Sequence, residues 1–319
     1  MKSVAVLISD NLLPDAENSR VDRFELEEEM SKLVPAFADN GMKLDEVRWR
    51  EASGRAPDYD AMLPLFVWDY FEGNAAAFCR EMARTSQLTR LYNNLDVINW
   101  NSDKAYLDEL AKLGAPVLET VTLERVTRAG VAKAFEITNA DKLVIKPQTG
   151  GGAWRQVLFH KDDVFPDTSR LPPAAALVQP FLPSVQDEGE YSFVYFGGQF
   201  SHACVKRPGA GDYRVQSIYG GTEKTYTPTA GERQSAEDIL DVLDIVPLYA
   251  RVDLLRGPDG QLRLIELELI EPYLYLPHAE GEGGENKGAQ RLAGALLKGL
   301  GSPDPIPVPV YKTSPLYKT

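Results

Sequence analysis

The chain has 319 residues, 44% of them hydrophobic, and a formal net charge of -13 at pH 7. Its length exceeds a usual single domain and its apolar content supports a large core, so two or three domains are expected. The charge argues against nucleic acid or an anionic membrane as partner, and two cysteines without metal-ligand spacing, Cys79 and Cys204, argue for core thiols in a reducing cytoplasm.

The apolar run Val4–Ile8 is too short for the hydrophobic segment of a signal peptide, and no run of about 18 apolar residues follows, so a soluble chain is expected. Residues 3–8 read as a buried strand and a helix, acidic at its start, is predicted near 21–39. Gly41 resembles a C-cap, and strands are predicted at 44–49 and 61–68, the latter ending in Trp68-Asp69-Tyr70. This alternation is α/β, a class whose ligands bind at strand C-termini. A helix near 74–92, the apolar segment Val97–Trp100 and a helix near 102–113 that stops at Gly114-Ala-Pro116 complete a first domain, 1–116. A second unit, 117–182, holds a helix at 122–134, strands at 142–146, 156–160 and 176–179, and a Gly-rich turn; its small size suggests a lid. The third, 183–302, holds strands at 190–196 and 199–205, a Gly-rich loop at 208–222, a helix near 232–243, a hairpin at 249–269 and a final helix near 285–299. The Pro-rich tail, 303–319, carries two Tyr-Lys-Thr triplets and reads as a surface strap or disordered segment.

The hairpin carries the strongest chemical signal. With Asp259 and Gly260 as turn residues, Asp253 lies opposite Glu266 and Arg251 opposite Glu268, all four on one face, while Ala250, Val252, Leu254, Ile265, Leu267 and Leu269 form an apolar face. Adjacent carboxylates call for a cation, and oxygen-only donors suit magnesium. A solvated sheet face with an Arg251–Glu268 pair is the alternative. Next, Leu143-Val-Ile-Lys146-Pro runs into Gly150-Gly-Gly152, where bare backbone amides can approach phosphate, although a flexible hairpin tip has the same composition. The lysine precedes the glycines and a strand follows them, so this is not a Walker A loop. Leu177-Val-Gln179-Pro-Phe181-Leu182-Pro offers backbone groups to a purine edge, and Lys206, Arg207, Arg214 and Arg251 supply the cations a triphosphate needs. His160, His202 and His278 lack ligand spacing and read as structural or surface residues, and there is no Gly-x-Ser-x-Gly elbow.

The ordered set Asn99-Trp100-Asn101-x-Asp103-Lys104, Val144-Ile-Lys146-Pro, Gly150–Gly152, Gln179–Leu182, Gly189-Glu190, Lys206-Arg207-Pro208, Arg251-Val-Asp253 and Glu266-Leu-Glu268 resembles the ATP-grasp superfamily over roughly residues 95–290. Trp68-Asp69-Tyr70, Asp212-Tyr-Arg-Val-Gln216 and Leu267-Glu-Leu-Ile-Glu-Pro272 look closest to its D-cycloserine synthetase branch. The resemblance implies an α/β (α+β) ATP-grasp fold, in which an N-terminal parallel-sheet domain precedes two α+β subdomains that clasp ATP. It implies that Lys104 and Lys146 bind ATP phosphates, that Gly150, Gly151, Gly152 and Ala153 form a mobile loop over them, that Gln179, Phe181 and Leu182 meet the adenine, and that Glu190 meets the ribose. Lys206, Arg214 and Arg251 would hold the γ-phosphate, and Asp253, Glu266 and Glu268 two Mg2+ ions, with Mn2+ as a substitute; many relatives have Asn where Glu268 stands.

The implied reaction passes a γ-phosphate to a carboxylate, and an amine then displaces the acyl phosphate. Asp69, Arg207 and Tyr213 are the candidate substrate residues, with Trp68, Tyr70 and Tyr273 nearby by position; Trp68 and Tyr70 also fit interface core, and Asp69 is placed to grip an amine. The expected partner is an amino-acid-like small molecule, and relatives imply a homodimer. Three functions stay open: an intermolecular carboxylate-amine ligase, an intramolecular cyclo-ligase, and a noncatalytic nucleotide-binding module, which the retained charge set disfavours.

Overall fold

The computed structural model describes residues 1–281 and 284–301, so the predicted tail lies outside the described residues. The first elements are β1 (Lys2–Ile8), α1 (Phe24–Asp39), β2 (Met42–Arg48), α2 (Ala52–Arg55), β3 (Ala61–Phe66), α3 (Ala75–Thr85), β4 (Arg90–Leu91), α4 (Leu95–Asn101) and α5 (Tyr106–Lys112). Their strands pair in parallel in the order β2-β1-β3-β4. β3 is buried along its whole length and β1 over most of it, which is why both are continuous apolar runs. Gly41 takes φ +73° and its N–H reaches Ala38 O, the helix stop its position predicts. The helix expected to run to residue 92 ends at Thr85, and β4 follows it at the sheet edge. Val97–Trp100 lies within α4, which starts where the Asn94 side chain accepts from Val97 N.

A second, antiparallel sheet is built from β5 (Val121–Leu123), β6 (Lys142–Pro147), β7 (Val157–His160) and β8 (Ala176–Pro180) in the order β5-β8-β6-β7, with α6 (Arg128–Thr138) packed on it. The helix begins later than predicted because Thr127, not an earlier residue, caps it, and Val121–Leu123 pairs with β8 instead.

The third sheet contains β9 (Glu190–Phe196), β10 (Gln199–Arg207), β11 (Thr222–Tyr226), β12 (Tyr249–Arg256) and β13 (Leu262–Glu268), ordered β11-β10-β9-β12-β13; α7 (Ser184–Asp187), α8 (Ala230–Asp241) and α9 (Lys287–Leu300) accompany it. One apolar core joins β1, β3 and α1 to β9 and α9, and another joins α5 to β9, β12 and α8. Cys204 is in the first of these, whereas Cys79 is half-buried; both are free thiols. The outer strand β13 is not left as an open edge. Asn101 donates to Leu267 O and accepts from Leu269 N, Tyr106 accepts from Leu267 N, and Asn93 donates to both Tyr249 O and Leu269 O. These side chains fix the strand that carries the site.

Candidate active site

The predicted register holds at the site: Arg251 pairs with Glu268 and Asp253 with Glu266. The turn is nevertheless longer than two residues, closed by Gly257 N–H to Gln261 O, and the register shifts at Ile265. The extra turn residue and the bulge offset one another, leaving the charged face in place. The bulge also aims the Ile265 carbonyl at Lys146, whose Nζ donates to it at 2.9 Å.

Each charged group on this face is matched to another. Arg251 grips Asp253 with Nε and Nη2, at 3.1 and 2.9 Å, and also contacts Glu268. Lys206 on β10 meets Glu190 on β9 and lies 3.5 Å from Asp253, which also accepts from Ser192 Oγ. Lys104, brought in by the turn between α4 and α5, lies 3.0 Å from Glu266. The Arg251–Glu268 pair of the alternative reading is therefore present, but Arg251 is buried, not solvated.

All these residues line one cavity of about 310 Å³, within the range of small-molecule sites. Leu118, Val144, Phe181, Leu182, Leu255 and Ile265 form its apolar slot, flat enough in composition for a purine. Gln179 is buried at its edge and donates to Thr120 Oγ1, and Phe181 N–H is bonded to Lys142 O, so the carbonyl of Phe181 is the group left to offer. Gly150, Gly151, Gly152 and Ala153 form another wall. Lys104 Nζ contacts Gly150 O, and a Cβ at Gly151 would come within 2.9 Å of the Phe71 ring, so this loop needs glycine to lie against the N-terminal part. Gly152 and Ala153 both have φ +57°, which only the first accepts without strain.

Arg214 and Tyr213 also line the cavity; Arg214 is held by Asp212 at 2.7 Å and stacks over Tyr219 at 3.6 Å. Two predicted substrate residues stand elsewhere. Asp69 accepts from Trp49 Nε1 at 2.6 Å and from Arg50 Nη2 at 3.0 Å, tying the loop after β3 to the end of β2. Arg207 is exposed and donates to Glu188 O. Neither is among the cavity-lining residues. Trp68 and Tyr273 do line it, whereas Tyr70 is packed between Phe71 and Phe78. His202 is buried against Leu274 O and, chiefly through burial, held down to about 4, in keeping with a structural role.

Glu271, Glu25 and Glu28 line the cavity without having been singled out from the sequence. Their signals were present: an acidic helix start with Glu25 and Glu28 three apart, and Glu271 three residues beyond Glu268. Burial pushes Glu271 up to about 7 and Glu268 up to about 8, in each case against the pull of nearby cations. Burial also acts on Asp253, but Arg251 and Lys206 overcome it and hold this carboxyl at about 2. Lys146 is shifted down, chiefly by burial, despite the attraction of Glu266.

Among the described residues no three His, Cys, Asp or Glu side chains are grouped to hold a metal ion, because Asp253, Glu266 and Glu268 are each turned onto a cation. The donor chemistry still fits magnesium. All donors are oxygens from one sheet face, and the raised Glu268 and Glu271 carboxyls mark negative charge that four neighbouring cations, Lys104, Lys146, Lys206 and Arg251, leave incompletely balanced.

The family model of the D-cycloserine synthetase DcsG N-terminal domain matches residues 4–93. The chain is 28% identical over 298 residues to the cycloserine biosynthesis protein DcsG of Streptomyces lavendulae, covering 85% of this chain and 94% of that protein. The crystal structure of D-cycloserine synthetase DcsG superposes with a TM-score of 0.79 at 25% identity, over 93% of this chain and 99% of that one. The D-alanine–D-alanine ligase of Bacillus anthracis, complexed with ATP, shares the fold with a TM-score of 0.64 at 14% identity, over 94% and 97%. The chain is thus an ATP-dependent ligase of the ATP-grasp superfamily, similar over most of its length to D-cycloserine synthetase.

Proposed function

We propose that this ligase activates the carboxylate of one amino-acid-like substrate as an acyl phosphate and closes a ring when a nitrogen of the same molecule displaces phosphate. The observation that carries this reading is that the likeness to D-cycloserine synthetase includes residues 4–93, the part that supplies Glu25, Glu28, Trp68 and Phe71 to the cavity wall away from the apolar slot. Joining of two separate amino acids is the second reading, favoured by the fold shared with D-alanine–D-alanine ligase.

In this mechanism the purine lies in the slot of Val144, Leu182, Leu255 and Ile265, with Gln179 and the Phe181 carbonyl at its edge and Glu190 toward the ribose. Lys146, steadied by the Ile265 carbonyl, and Lys104 meet the phosphates. Lys206, Arg251 and Arg214 surround the γ-phosphate and stabilise charge as it shifts to the substrate carboxylate. Two magnesium ions, with manganese as a substitute, would be held by Asp253, Glu266 and Glu268 and would supply charge neutralisation at the transferring phosphoryl group. Gly150–Ala153 excludes water, protecting the acyl phosphate from hydrolysis. No helix among the described residues is long and apolar enough to cross a membrane; we place the chain in the cytoplasm, divided at 116 and 182 and paired as a homodimer.

The test is phosphorus NMR and mass spectrometry of the purified chain with Mg-ATP and either O-ureido-serine alone or pairs of amino acids. ADP, phosphate and a cyclised product from the single substrate support the proposal. A strict need for two substrates selects the second reading, and AMP with pyrophosphate overturns acyl-phosphate chemistry.

A further inference from the structure

The cavity has a second end that the phosphate chemistry does not use. Glu25 and Glu28, one helical turn apart on α1, are presented there beside Trp68, Phe71 and Tyr273. Both carboxylates are held by neutral hydroxyls from the opposite wall: Ser217 Oγ donates to Glu25 at 2.9 Å, and Tyr273 OH donates to Glu28. Neither forms an ion pair among the described residues. The nearby Arg20 is taken up by Asp22, at 2.8 and 2.7 Å, and by the Trp68 carbonyl, and Arg23 pairs with Glu27. Gln216 adds a further acceptor to the same lining, its Oε1 buried and without a hydrogen-bond partner. Acceptors thus outnumber donors where the phosphate end is cationic.

Resting on the ligase reading above, we propose that this end selects the substrate by its ammonium group, which Glu25 and Glu28 bind while the substrate carboxylate faces the γ-phosphate. Tyr273 sets the spacing. Its carbonyl accepts from Arg251 Nη1 at 3.1 Å and its hydroxyl reaches Glu28, so one tyrosine's length separates the cation at the phosphate end from the carboxylate at the other. An α-amino acid with a hydrogen bond at each end spans that length. Burial, reinforced by Asp22 and Glu223 against the Ser217 hydrogen bond and Arg20, pushes Glu25 up to about 7, the condition of a carboxylate whose cation is yet to arrive. This moves amine recognition from Asp69, already satisfied by Trp49 and Arg50, to α1.

The experiment is saturation-transfer NMR on the chain loaded with Mg-AMP-PNP, using O-ureido-serine, serine and alanine, each beside its deamino counterpart, and the variants Glu25→Gln and Glu28→Gln. The amide keeps the hydroxyl contact and removes the charge. The expected result is binding of free-amino members only, weakened tenfold or more in each variant, with AMP-PNP affinity and melting temperature held near wild type. Equal binding of deamino counterparts, unchanged affinity in both variants, or no amino member binding the nucleotide-loaded wild type would overturn the inference. Failure of wild type to bind AMP-PNP overturns the ligase reading, and this inference falls with it.

Discussion

Glu266 shows how tightly the site is balanced, because its carboxylate lies 3.0 Å from Lys104 and also faces Lys146. Removing it leaves buried cations uncompensated and takes away a donor for the divalent ion. Glu266→Ala should lower ADP release with substrate by at least about 100-fold, while equilibrium dialysis with labelled ATP still detects weakened binding; unchanged turnover would dismiss the metal assignment. Glu268 makes a second prediction, about pH. Its folded value of about 8 lies above the ordinary 4.5, so the stability it contributes is full below 4.5 and is lost as pH rises toward 8, with Glu271 adding to the loss up to about 7. Asp253 acts oppositely, its contribution being lost only as pH falls through about 2. Melting of the ligand-free chain should therefore drift down between pH 5 and 8, and Glu268→Gln should flatten that drift; parallel curves would refute the coupling. These acids were legible because strand alternation alone places them on one face. Asp69 was not, because its partners Trp49 and Arg50 arrive from a different strand end and no local pattern announces them.

At the scale of elements, the hairpin and its supports decide whether the charged face is presented. Asn93 donates to Tyr249 O and Leu269 O and accepts from Leu248 N, at 2.9, 2.8 and 2.7 Å, so it bridges two segments that backbone pairing leaves apart. Truncation strands buried backbone groups, each worth roughly 1–3 kcal/mol. Asn93→Ala should cost about 3 kcal/mol or more in urea unfolding, and a loss under about 0.5 kcal/mol would mean that water replaces the amide. The long strands β9, β10 and β12 were readable from alternation and apolar runs. β4, β5 and β11 were not, since strands of two to five residues owe their pairing to neighbours and not to their own sequence. The bulge at Ile265 was also illegible, yet the predicted register survived because the turn erred by the same amount.

Across the whole molecule, the cavity needs all three sheets: β6 gives Lys146, β9, β10, β12 and β13 give the charged face, and the loop after β3 gives Trp68 and Phe71. Closure depends on Gly151 lying against Phe71. Gly151→Ala should lower kcat/KM for ATP about tenfold, and adding Phe71→Ala should recover part of the loss in steady-state kinetics; no recovery would place the defect in the loop itself. The ATP-grasp arrangement could be named from the order of its motifs, but the acidic second end could not, since α1 and the 216–217 segment meet only in the folded chain.

The apolar cores divide unevenly. Elements before residue 115 and after 190 share two of them, while Val126, Val131, Phe135, Leu143, Ile145, Phe159 and Val178 form a cluster wholly inside the middle sheet. Such a block can open without breaking the others. In native-state hydrogen exchange the amides of β5 to β8 should therefore form one cooperative unit of lower protection, and exchange there should slow when nucleotide bridges it to its neighbours, so the enzyme's least stable part is also the one its substrate holds in place.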